Sequence, residues 1–262
     1  MNRIAVCVAT LWMAFNSAAA HDCAATEQCR QAADQIDFDG EMVLKTPLVP
    51  ISSTPYQDLH SQIDFINTQL VFGATVTVRV DVEDGPLYDP ATDEVWMPMW
   101  FGDSIASTFS SGDDTLDAAE QQQIVNDVVL HTLVHEAGHA LFAQVDIPRL
   151  SREEDAVDAL ASIVLLEFHE RGDEVVLNAA EMFGLESDSV EWFEAADFWD
   201  EHSLDIQRYY TSICHVYGSD SEGNEELINE EYGLSEERAE ACIEEYELLR
   251  DGWLRVLQPY LR

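Results

Sequence analysis

The sequence predicts a mostly helical α+β fold in which a small antiparallel sheet precedes a long helix. Three observations carry this expectation. In Thr75-Val76-Thr77-Val78-Arg79-Val80-Asp81-Val82 every even position is valine and every odd one polar, the period-two pattern of a half-buried strand. A second strand follows over 94–100. From about residue 114 onward the chain reads as helix almost to its end.

Taken in order, the first element is a leader. Met1-Asn2-Arg3 is basic, Ile4 to Phe15 is apolar, and Asn16-Ser17-Ala18-Ala19-Ala20 offers an A-x-A cleavage site. This reads as a secretory signal peptide over 1–20, too short to span a membrane. The mature chain, 21–262, is then one exported domain, periplasmic or secreted, with no later membrane span. Residues 23–34 predict a short polar helix. Thr54-Pro55 opens another, capped by Ser53 or Thr54, that runs through Leu59, Ile63, Ile66 and Leu70. The turn chemistry of Asp84-Gly85-Pro86 and Tyr88-Asp89-Pro90 separates the two strands. Pro98 places the second strand at a sheet edge, where an extended peptide could be added.

Asp114 or Thr115 caps a long helix ending near Pro148. Ser151 caps the next, with Glu154 three residues on as a capping box, and that helix runs to about Gly172. Further helices are expected over 173–183, 187–200, 203–216, 224–232 and 235–258. Trp192, Phe193, Phe198 and Trp199 form an aromatic cluster, read as core packing or as a substrate pocket.

The chain carries 52 acidic residues against 12 basic, a formal net charge of −40. Coulomb repulsion at that charge argues against nucleic acid and anionic lipid as partners. Cys23, Cys29, Cys214 and Cys242 remain after the leader. An even count in an exported chain reads as two disulfides, and neighbour pairing gives Cys23–Cys29 and Cys214–Cys242.

The chemistry is concentrated in His135-Glu136-Ala137-Gly138-His139. On a helix, residues four apart share a face and rise roughly 6 Å. Two imidazoles so placed suit one Zn²⁺, with Glu136 beside them as general base toward a water. The flanking Val128, Val129, Leu130, Leu133, Val134, Ala140, Leu141 and Phe142 make this a buried helix, and Gly138 inside it marks a close neighbour. His131 stands about 12 Å in rise from His139, too far to share an ion with both others, and reads as a packed or hydrogen-bonded histidine. Catalytic zinc needs a third protein ligand. Glu154 is the expected one, with Asp158 and Asp155 as alternatives. A carboxylate one turn after Glu154, at Asp158, is placed to receive the free N–H of a ligand histidine. Glu153 and Asp155 read as acids that suit a helix start.

The motif with Glu154-x-x-x-Asp158 resembles the thermolysin-type gluzincins, although the separation is shorter. Over roughly 60–262 the chain is similar to a bacterial family of metallopeptidases of unknown function. The residues that carry this are 152–161, Asp200-Glu201-His202-Ser203-Leu204-Asp205 with Gln207-Arg208, and Cys214-His215-Val216-Tyr217-Gly218. The resemblance implies a zincin-like domain that hydrolyses peptides or proteins with zinc. His202 is the expected oxyanion stabiliser, with Arg208, Tyr209 and Tyr210 as weaker candidates. Two other readings stand beside this one: a zinc hydrolase of a non-peptide amide, and a non-enzymatic zinc-binding protein.

Overall fold

The structure is a computed structural model, and it describes residues 38–262 apart from 49, 113, 114, 146, 151 and 231. The leader, the 23–34 helix, Cys23, Cys29 and the caps Asp114 and Ser151 lie outside the described residues. Asp39–Arg262 forms one compact unit.

Four short strands form one sheet: β1 (Met42–Leu44), β2 (Val76–Arg79), β3 (Leu87–Asp89) and β4 (Glu94–Trp96). The predicted strand is β2, and its even valines are the buried ones: Val76, Val78 and, just past its end, Val80. The sheet order is β1-β2-β4-β3, and it is mixed, not antiparallel. β1 and β2 run parallel, as do β2 and β4, and only β3 and β4 are antiparallel. The physical reason is connectivity. The helix α1 (Leu59–Gln69) carries the chain from β1 back to the start of β2, and parallel neighbours need such a crossover. The β4 strand therefore sits between β2 and β3. It stops two residues before Pro98, so no ladder hydrogen bond is lost there. The expected edge for an added peptide strand is thus already paired on both sides. Gly85, at φ 118°, precedes a cis peptide to Pro86. A Cβ there would stand 2.7 Å from the Trp96 carbonyl oxygen, so only glycine fits.

The α1 helix begins at Leu59, later than Thr54-Pro55 suggests. Residues Ile51–Ser53 form a 3₁₀ turn first, and the Thr54 hydroxyl accepts the Tyr56 N–H at 3.2 Å. Directly after Pro98, where strand was expected, the chain enters α2 (Met99–Gly112). Next comes α3 (Ala118–Gln144). Asp117 caps it in a capping box, accepting the N–H groups of Ala119 and Glu120 at 2.7 and 3.0 Å while Glu120 accepts the Asp117 N–H at 2.8 Å. Almost every residue from Val125 to Phe142 is buried, because α1, α2, α4 (Glu153–Phe168) and α5 (Gly172–Asp188) pack around α3. Full burial of a leucine such as Leu133 or Leu141 stabilises the fold by about 1.5–3 kcal/mol.

At Gly138 a Cβ would lie 3.0 Å from Val157 Cγ1 of α4, which is the close approach that the glycine predicts. The helices α6 (Asp205–Ser219) and α7 (Glu236–Leu257) complete the bundle, joined by the disulfide Cys214–Cys242. Only single 3₁₀ turns form inside the segments expected as helices over 187–200 and 224–232. Trp192 and Trp199 are 70% and 87% exposed, so the aromatic cluster is not core. Among the described residues no helix is long and apolar enough to cross a membrane.

Candidate metal centre

Three helices and one loop supply the site. His135 and His139 project from one face of buried α3. Glu153, Glu154 and Asp158 come from the first turns of α4, held against α3 by the Gly138–Val157 contact. His202 comes from the loop before α6, and Arg208 from the first turns of α6.

The ligand-type atoms converge. His135 Nε2 lies 3.2 Å from His139 Nε2, and Glu154 Oε2 lies 3.2 Å from each of them. A tetrahedral ion with bonds of about 2.0–2.1 Å separates its ligand atoms by about 3.3–3.4 Å, so this triangle has the edge length zinc requires. His202 Nε2 reaches the same Glu154 oxygen at 3.0 Å, and His135, Glu154 and His202 offer ligand atoms within 4.8 Å of one another.

The outer nitrogens are engaged as well. His135 Nδ1 lies 2.7 Å from Asp158 Oδ1, and His139 Nδ1 lies 3.1 Å from Glu153 Oε1. A carboxylate can only accept, so each Nδ1 carries a proton, and Nε2 is the nitrogen left to offer a lone pair to a metal. The Nε2 atoms and the Glu154 oxygen, 3.2 Å apart, share a positive charge, either a proton on Nε2 or a metal ion in its place. Arg208 in turn grips Asp158 through Nε and a terminal nitrogen at 2.8 and 2.9 Å and lies over the Phe183 ring at 3.9 Å. Arg149 holds Glu153 at 2.6 Å.

The electrostatics show that a proton can supply this charge. Burial opposes a charge on His135, yet Asp158 and Glu154 outweigh it and push its pKa up to about 9. Burial likewise opposes the charge on Glu154, but the hydrogen bonds from His135, His139 and His202 hold its carboxyl far below the usual range. Asp158 is held down in the same way by His135 and Arg208, against burial. Glu136 is the exception. Burial pushes its carboxyl up, against the pull of the His135 and His139 charges. The Glu154 bond raises the pKa of His202, and Asp200 accepts its backbone N–H at 2.9 Å.

A family model described as "Putative metallopeptidase" matches residues 54–257. The chain belongs to this family. The matched stretch holds every site residue just described. No curated protein and no solved structure matches the chain.

Of the residues that the sequence singles out, His135, Glu136, His139, Glu154, Asp158 and His202 stand together, whereas Tyr209 and Tyr210 line a separate cavity. Glu154 is turned toward the imidazoles, and the N-cap Arg152 makes no side-chain cap bond. Asp155 faces away to accept the Ser203 hydroxyl at 2.6 Å. Two partners are missed. Glu153 reads as an ordinary helix-start acid, although its place before Glu154 puts it within reach of His139. Arg208 reads only as a weak oxyanion candidate, because its bond to Asp158 spans fifty residues of sequence.

Proposed function

We propose that the protein is an exported zinc metallopeptidase whose ion is held by His135, His139 and Glu154. The observation that carries this reading is the 3.2 Å triangle of two imidazole nitrogens and one carboxylate oxygen, with Glu136 beside it on the same helical turn. When bound, zinc would acidify a water toward neutrality and polarise the scissile carbonyl. Glu136 takes the proton of the attacking water and returns it to the leaving amine. His202, held by Asp200 and facing the Glu154 oxygen, donates to the developing oxyanion, a contribution of roughly 3 kcal/mol. Asp158 and Glu153 hold the two ligand imidazoles in the required tautomer, and Arg208 fixes Asp158. The leader and the disulfide support export, since disulfides persist in oxidising compartments.

A second reading has one observation in its favour. His202 is close enough to act as a fourth ligand, which would close the site and make it a binding centre. Glu136 weighs against it, because a closed structural site has no use for a buried carboxylate beside its ligands. Hydrolysis of unfolded casein by the zinc-loaded wild type and by Glu136→Gln tests the choice. A loss of roughly 10²–10⁴-fold in the variant, with zinc retained, is the expected result. Equal rates contradict the mechanism.

A further inference from the structure

His131 is buried on α3, and its Nε2 has no hydrogen-bond partner among the described residues. Such an orphan inside a fold is destabilising unless something completes it. The metal centre makes no use of it. His131 instead lines a cleft of about 160 Å³ together with His135, Glu136 and His202. Phe101, Val128, Met182 and Phe183 give this cleft apolar walls, and the imidazole meets the Phe183 ring edge-on with centroids 6.1 Å apart. Arg208 and Glu186 also line it, but Arg208 is committed to Asp158.

We propose that this cleft receives a substrate side chain next to the scissile bond, and that His131 selects tyrosine there by hydrogen bonding its phenolic hydroxyl. The inference rests on the peptidase reading above. The chemistry follows from the lining. A single apolar cleft beside the general base suits one ring. An anionic tip would meet Glu136 and Glu186, whereas a neutral ring packs on Phe101, Met182 and Phe183. A neutral imidazole at the wall offers one donor or acceptor, and a hydroxyl can serve either role. Phenylalanine would fill the same space but leave Nε2 unpaired.

The test is cleavage of a peptide library, varied at both residues flanking the scissile bond, by the zinc-loaded full chain, with products sequenced by mass spectrometry. Tyrosine should exceed phenylalanine by about tenfold in kcat/KM on one side of the bond. In His131→Leu that ratio should fall to about one. Phenylalanine equal to or better than tyrosine in the wild type overturns the proposal, and this readout does not depend on the variant folding. An undiminished tyrosine preference in a folded His131→Leu overturns it as well. Cleavage of no library peptide at all would instead sink the peptidase reading on which it stands.

Discussion

Asp158 Oδ1 sits 2.7 Å from His135 Nδ1, on the side of the ring away from Glu154. This one contact joins α4 to α3 and fixes which imidazole nitrogen is left for a metal. Asp158→Asn keeps the shape but removes the charge, and its amide can present a donor to the ring. Arg208 also loses the nearer of its anionic partners and keeps Asp205 at 3.8 Å. Zinc affinity should fall 10–100-fold, measured by competition with a chromophoric chelator. An unchanged affinity would show that the tautomer is set elsewhere.

Gly138 carries the packing that this geometry depends on. A Cβ at that position meets Val157 at 3.0–3.1 Å, and Val157 lies between Glu154 and Asp158 on α4. Gly138→Val should push the two helices apart. We expect a stability loss of about 1–3 kcal/mol in urea unfolding, accompanied by weaker zinc binding. Loss of stability with full zinc affinity would mean that α4 adjusts without moving its carboxylates.

The buried His131 predicts a pH effect. Burial pushes its pKa down to about 3, against an ordinary value near 6.5. The unfolded chain takes up a proton below pH 6.5 that the folded chain refuses, so this contribution to stability is present above pH 6.5 and lost as pH falls toward 3. Between pH 7 and pH 5 the wild type should lose about 2 kcal/mol more than His131→Leu, read from denaturant midpoints at each pH. Parallel profiles for the two proteins would refute it.

How far the sequence could be read depended on the range of each signal. The helix bearing His135 and His139 was legible because apolar residues surround the motif on every side, and Glu154 and Asp158 because they share a helical face. The valines of β2 were legible from their alternation. What escaped depended on distant partners. Met42–Leu44 is too short to show a period, so the parallel pairing with β2 was hidden. The α2 helix starts immediately after Pro98 with Met99-Trp100-Phe101, residues that suit strand equally well. Arg208 acquires its role only when α6 packs beside α4. The aromatic residues near 192–199 look like core in sequence, yet Trp199 is almost fully exposed beside the loop that carries His202.

The central claim is that one ion sits among His135, His139 and Glu154. The most direct measurement is anomalous diffraction at the zinc edge from crystals of the zinc-loaded protein. The account predicts a single strong peak about 2.0–2.2 Å from His135 Nε2, His139 Nε2 and a Glu154 carboxylate oxygen. A peak elsewhere, or none at these three atoms in crystals grown with zinc, would contradict it.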